Sequence, residues 1–591
     1  MSRNTLKRLF LILVGTVCLT ASPRLTAANE ELTKLLGDYW EDYLRLHPIA
    51  ATYAGDHRYD DRLPNILSPD HRAAVQAFYQ RYLKAAQEIE TTSLTAEEKL
   101  SVELLNWECS VNARQGEFPT HLLPLNQFES LHLTVGQLGS GSGAHPFKTV
   151  TDYENWLKRL NEFYPWCHSA ITYMKEGISK GYVLPQSLIK KVIPQINDLA
   201  TRPIADHLFW QPIKNLPASF STADRQRLTA SYRELLDQRV IPAFEALGRY
   251  LQSEYLSAGR STSGIASIPN GNEYYQHQIK IYTTTELSPE QIFEIGQSEV
   301  ARLTAEMEKV KAQLGFKGSL KEFFQHVRTT PKLSPYQDPQ QVIDHFNAIH
   351  TKMKPHVARL FRLTPKTAFE VRRTEAFREA SSSAEYHPGS MDGTRPGIFY
   401  VPIPKVEEYN ILSDEDLFLH EAIPGHHYQI SLQQENEALP KFRRALFYSS
   451  YGEGWALYCE SLGKELGLYE DPYQYFGMLS AEMHRAIRLV VDVGMHHKGW
   501  TREQAIQYSL DHEAEPEAGI ISEIERYMSW PGQALSYKIG QIQIRKLRDE
   551  AENALGDQFD IRTFHDKVLE SGCLPLTVLE KKIQDWISEQ K

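Results

Sequence analysis

Eight residues, His420-Glu421-Ala422-Ile423-Pro424-Gly425-His426-His427, combine a His-Glu pair, a helix-breaking Pro-Gly and two further histidines. Imidazoles and a carboxylate at this density are metal ligands by type, and the Glu beside the first His is placed to act on a metal-activated water. In a straight zinc-hydrolase helix the two histidines sit at i and i+4, roughly 40° apart around the axis. Here the i+4 position is Pro424, and His426 at i+6 would fall roughly 120° away. The helix must be deformed if His420 and His426 share an ion. Pro424 favours this, because its ring clashes with the carbonyl four residues back, at His420, while Gly425 accepts the backbone angles of a bulge. His427 is a rival ligand, on the His420 face but two turns, roughly 10 Å, along the axis. The alternative is a helix that stops at Pro-Gly and leaves its histidines on the surface.

A hydrolytic zinc site needs a third protein ligand and an open position for water. Within Tyr451-Gly452-Glu453-Gly454-Trp455-Ala456-Leu457-Tyr458-Cys459-Glu460, Glu453 stands between glycines that would let a second helix come close. Glu460, i+7 on the same face, is either the competing ligand or a group that orients a ligand histidine. Downstream, Tyr527, Tyr537, His496 and His497 are candidate donors to an oxyanion. Asp492 and His496, at i and i+4, could pair so that the carboxylate sets the imidazole tautomer. Upstream, the turn-rich loop Ala384 to Pro396 carries Arg395, suited to a substrate carboxylate. The β-branched and aromatic run Gly397 to Ile403, with Tyr400, reads as an edge strand that could add main-chain hydrogen bonds to a peptide.

The elements that must hold these groups are helices. Apolar residues recur at helical spacing over 29–46, 68–90, 95–115, 152–180, 223–255, 288–314 and 339–361, several opened by Ser, Thr or Asp. Thr95-Ala96-Glu97-Glu98 and Ser288-Pro289-Glu290-Gln291 read as capping boxes. Asp414-Glu415-Asp416 start the His420 helix, and Leu417-Phe418-Leu419 give it a buried face. Besides Gly397 to Ile403, only Gln278 to Thr283 alternates like a strand. The expected class is mainly α, with a small β-sheet beside the metal-binding helix.

The N-terminus has Arg3, Lys7 and Arg8, an apolar run from Leu9 to Ala21 and a small-residue cleavage site at Thr26-Ala27-Ala28. It reads as a secretory signal peptide over 1–28. No later segment is long and uncharged enough to span a membrane, so no stable membrane insertion is expected after its removal. The residues before Cys18 do not favour lipid attachment. Cys109, Cys167, Cys459 and Cys573 form no Cys-x-x-Cys pair, and their even number permits disulfides without requiring them. The net charge of −11 is spread along the 591 residues, which excludes nucleic acid as an expected partner. With no linker, repeat or low-complexity tract, 29–591 is expected as one large domain, with two interlocked lobes as the alternative; oligomeric state is open.

Four motifs together carry a family resemblance. They are His-Glu-Ala-x-Pro-Gly-His-His from His420, Glu-Gly-Trp-Ala-x-Tyr-x-Glu from Glu453, Arg488 to Trp500, and Arg526-Tyr527 to Gly540. They resemble the bacterial domain of unknown function 885 family, and His47-Pro48-x-x-Ala51-Thr52 and Asp392-Gly393-x-Arg395-Pro396-Gly397 extend the likeness over nearly the whole mature chain. That family is grouped with the helical gluzincin metallopeptidases, including angiotensin-converting-enzyme-like and oligopeptidase relatives. The resemblance implies a zincin-like helical metallopeptidase fold, one zinc ion on His420, His426 and Glu453, and Glu421 as general base. The expectation is a secreted zinc hydrolase, periplasmic in a Gram-negative bacterium, cleaving short or unfolded peptides. Hydrolysis of a non-peptide amide or ester, or binding without catalysis, are the competing classes.

Overall fold

The computed structural model describes residues 27–591 except 376–378, 380–382 and 391–394. All but the last two residues of the expected signal peptide, Cys18 with them, and Asp392-Gly393 of the loop motif lie outside the described residues.

Helices begin where side chains can take their free amides. Thr95 Oγ1 accepts the Glu98 amide while the Glu98 carboxylate accepts the Thr95 amide, closing a capping box on Ala96–Gln115. Ser288 and Gln291 do the same for Pro289–Gln313. The other expected helices are Ala27–Leu46, Pro69–Glu88, Val150–Lys180 and Pro339–Leu360. The stretch 223–255 is helical throughout, with wider π turns at Leu236–Val240 and Leu251–Tyr255.

One expectation fails. Gln278 to Thr283 is the last part of the helix Gly271–Thr283, because Tyr275, Ile279 and Thr283, spaced by four, are all fully buried, and the Thr283 hydroxyl donates to the Ile279 carbonyl.

The sheet has three strands, β1 (Phe369–Arg373), β2 (Glu385–His387) and β3 (Gly397–Val401), in the order β1-β3-β2. β3 runs parallel to β1, with Val371 opposite Phe399, and antiparallel to β2, with Tyr386 opposite the same Phe399. It is therefore the central strand and not an edge: its backbone groups are taken on both sides, which corrects the expectation that it could pair with a peptide. The sheet lies against the helices that carry the histidines. Phe399 packs edge-on against Phe346, and Phe369 against Phe418 and His427.

Among the described residues, two large hydrophobic cores account for most of the interior. One is lined by helices from both ends of the chain, including Leu36, Leu105, Phe346, Trp455, Met483 and Leu579. The other is built mainly from Leu125 to Tyr255 around Trp156 and Phe163. A smaller cluster with Tyr182, Ile265, Tyr275, Leu489 and Leu535 draws on segments that adjoin both. Cys109, Cys167, Cys459 and Cys573 are buried free thiols.

Candidate metal centre

The helix that begins at Asp414 ends at Glu421, and a second begins at His426. The four residues between them turn the chain sharply. A Cβ on Gly425 would lie 1.9 Å from the His420 carbonyl oxygen and 2.3 Å from that of Leu419, so only glycine lets the second helix start against the end of the first. The Pro424 carbonyl accepts a hydrogen bond from Trp455 Nε1 at 2.8 Å, anchoring the break to the helix Ser449–Glu460. The result brings the His420 and His426 rings edge to face, 4.8 Å between centroids.

Glu453 arrives on Ser449–Glu460, which crosses Ser536–Leu555 at glycine: a Cβ on Gly454 would sit 2.5 Å from the Cα of Gly540. Its Oε2 is 3.5 Å from His420 Nε2 and 3.4 Å from His426 Nε2. Ligand atoms about 2.0–2.1 Å from a tetrahedral ion are about 3.3 Å apart. Among the described residues, His420, His426 and Glu453 are the one set whose ligand atoms lie within 4.8 Å of one another. Glu453 Oε2 and His426 Nδ1 are buried without a hydrogen-bond partner. Two nitrogens and a carboxylate, converging with an unsatisfied oxygen between them, fit a divalent ion of zinc's size and preferences.

Glu460 takes the orienting position. Its Oε1 is 2.6 Å from His420 Nδ1, so it fixes the ring with Nε2 toward Glu453. Burial works against charge on His420, yet the neighbouring carboxylates of Glu453 and Glu460 raise its pKa to about 10. Burial likewise opposes ionisation of Glu453, and His426 and His420 nevertheless pull it below the usual carboxylate range. Glu421 moves the other way, raised chiefly by burial, with the charges of His420 and His426 opposing. Arg485, for which the motifs suggested no role, lies close enough to favour the charged forms of Glu421 and Asp416.

The other expected site residues separate into two groups. Tyr537 belongs with the cluster: burial and then the Glu453 charge raise its pKa. Tyr527 stands behind it with a hydroxyl already committed, donating to Glu523 at 2.6 Å and accepting from Arg488 Nε at 2.8 Å. His427 is buried elsewhere, its Nδ1 accepting from the Tyr386 hydroxyl at 2.9 Å, and burial lowers its pKa to about 4. The expected Asp492–His496 pair does not form. Asp492 accepts from the Tyr275 hydroxyl and the Gly532 amide, while His496 Nδ1 accepts the Ile265 amide and Nε2 donates to the Tyr527 carbonyl. With both nitrogens engaged and no exposure, His496 braces the backbone of Tyr527 and has no donor left for an oxyanion. His497 pairs at the surface with Glu290. Tyr400 packs against His387 on the sheet, and Arg395 is exposed, its backbone closing a turn with Ser390. A cavity of about 700 Å³ among Arg45, Leu63, Phe78 and Glu162 shares no residue with the cluster.

The family profile described as bacterial protein of unknown function (DUF885) matches residues 48–583. Two solved structures share the fold. A presumed lipoprotein from Colwellia psychrerythraea is 28% identical with a TM-score of 0.87, over 96% of this chain and 100% of its own. A presumed lipoprotein of unknown function from Shewanella oneidensis is 19% identical with a TM-score of 0.71, over 94% and 99%. No curated protein matches the chain.

Proposed function

This chain belongs to the DUF885 family of bacterial proteins, and we propose that it is a zinc-dependent hydrolase acting outside the cytoplasm, most suited to peptides. The observation that carries the reading is the convergence of His420 Nε2 and His426 Nε2 on Glu453 Oε2 at 3.4–3.5 Å, with a buried carboxyl, Glu421, following the first ligand in sequence. Bound there, zinc would supply Lewis acidity, making water more acidic and a carbonyl more electrophilic. Glu421 would take the proton from the attacking water and deliver it to the leaving nitrogen; burial is the chief cause that raises its pKa above the usual carboxylate value. The Tyr537 hydroxyl would donate to the developing oxyanion. Tyr527, His496 and Glu460 would act through others, the first two by setting the wall behind Tyr537 and the last by fixing His420.

An extracytoplasmic setting is supported by the signal-like N-terminus and by the presumed lipoproteins that share the fold. Among the described residues no helix is long and apolar enough to cross a membrane. A second reading, hydrolysis of a small amide or ester, is favoured by the central position of β3, which removes the strand-pairing argument for an extended peptide. The test is Glu421→Gln. It should retain zinc and fold while losing roughly 10²- to 10⁴-fold in rate on a peptide library, with ester and acyl-amide substrates run alongside. Equal activity of Glu421→Gln and wild type, or metal content no higher in wild type than in a His420→Ala, Glu453→Ala variant, would refute the proposal.

A further inference from the structure

Beside Tyr537, two buried arginines share a single carboxylate. Arg488, in the helix Pro472–His496, donates from Nε to the Tyr527 hydroxyl at 2.8 Å and from Nη2 to Glu523 at 3.0 Å, with His484 Nε2 3.2 Å away. Its remaining nitrogen, Nη1, is buried without a partner. Arg526, from the helix Glu517–Ser529, donates to the same Glu523 at 3.3 Å and to Gln533 Oε1 at 2.8 Å. Of the other carboxylates nearby, Glu513 is occupied by His484 Nδ1, and Asp492, whose charge Arg526 favours, accepts from the Tyr275 hydroxyl and the Gly532 amide. With His484 and Glu513 paired, Glu523 is the one carboxylate in hydrogen-bond contact with both Arg488 and Arg526. Burial and then repulsion from Arg488 oppose the charge on Arg526, yet Glu523 and the tyrosines Tyr527 and Tyr537 outweigh both and raise its pKa.

Tyr537 joins this arginine pair to the candidate metal centre. The Arg488 guanidinium carbon is 4.5 Å from the centre of its ring, and its hydroxyl senses Glu453. An anion held by the arginines would thus lie about one tyrosine from the ligand carboxylate. Buried donors without acceptors are rare enough in proteins to need a reason. A guanidinium's fork matches a carboxylate, and Arg488 Nη1 is the donor left to receive one.

We propose that Arg488 and Arg526 receive a substrate carboxylate, so that the preferred substrates are amides a short distance from a free carboxylate: the C-terminal end of a peptide, or an N-acyl amino acid. Its consequence for turnover rests on the hydrolase reading above; the binding claim does not. The experiment is calorimetry on zinc-loaded Glu421→Gln protein, which should bind without turning over. The probes are Ala-Ala-Phe-Ala against its C-terminal amide and N-acetylphenylalanine against its amide. The acids should bind at least about tenfold more tightly than the amides, and the preferred pair identifies the source of the carboxylate. Adding Arg488→Gln should bring the acid-to-amide ratio near one while leaving the amides' affinity unchanged, and Arg488→Lys, keeping the charge but not the fork, should reduce it in part. Equal binding of acid and amide, no binding of any probe, or a ratio that survives Arg488→Gln overturns the proposal. The acid–amide comparison decides even if the arginine variants fail to fold. Wild-type protein that prefers acids but cleaves nothing sinks the hydrolase reading alone; cleavage of acids and amides at equal rates, with equal binding, sinks this inference alone.

Discussion

Gly425→Ala should destroy metal binding by moving a ligand that it does not replace. The Cβ it adds would stand 1.9 Å from the His420 carbonyl oxygen, where carbon and carbonyl oxygen normally approach to roughly 3.3 Å. The neighbouring atoms are backbone, so no side chain can rotate away; the two helix ends must part by more than an ångström in sum. Ligand positions in a metal site tolerate about 0.2 Å. His426 follows residue 425 directly, and the parting falls almost wholly between it and His420. Zinc affinity should fall by more than about 100-fold, since changes that merely misorient a ligand already cost about 10- to 100-fold. Crowding of this kind should also cost about 1–3 kcal/mol of stability. The assay is chelator competition monitored by elemental analysis, with thermal unfolding alongside. Gly37→Ala is the control, because a Cβ there meets nothing within 4 Å. A Gly425→Ala protein that holds zinc as tightly as wild type would show that the break does not set the spacing of the two histidines.

Other outcomes follow from single contacts. His426→Ala should reduce metal to background, whereas His427→Ala should keep the metal and lose about 1–3 kcal/mol, because the Tyr386 hydroxyl forfeits its acceptor; equal metal loss in both would reassign the ligand. Glu460→Gln should bind zinc at the same stoichiometry but about 10- to 100-fold more weakly in competition titrations. Tyr537→Phe should lower kcat by roughly 10²-fold or more with little change in melting temperature, while Tyr527→Phe should be visible mainly in stability. Asp492 provides a pH test. Burial raises its pKa to about 7, above its usual 3.8, so between these pH values the folded state holds a proton that the unfolded state has released. Its contribution to stability therefore declines as pH rises from about 4 to about 7, and Asp492→Asn should flatten the fall in melting temperature over that window; an unchanged slope would count against a protonated Asp492.

Local chemistry was legible in the sequence, and partnership across the fold was not. Caps at Thr95 and Ser288 announce helices because the atoms that satisfy the first amides lie within three residues. The same locality made the Pro424-Gly425 break and the small flanks of Glu453 readable, since a clash with residue i−4 or a missing Cβ needs no knowledge of what lies opposite. The spacing could not choose between His426 and His427, because that choice depends on which carboxylate each meets. His426 finds Glu453, 27 residues on; His427 finds Tyr386, 41 residues back. The alternation at Gln278 to Thr283 misled because a window of six cannot show that Tyr275, just before it, is buried on the same face as Ile279. Asp492 and His496 lie one turn apart as their spacing requires, yet each has a stronger claim from another part of the chain, Tyr275 on one and Ile265 on the other. The unpartnered Arg488 donor beside Tyr537 has the same origin. Arg488 and Arg526 stand in separate motifs, each unremarkable alone, and their sharing of one carboxylate exists only once Pro472–His496 and Glu517–Ser529 bring both to Glu523. The convergence of His420 and His426 can thus be read where turn chemistry constrains it, but the sharing of Glu523 by Arg488 and Arg526 is a property of helices packed together.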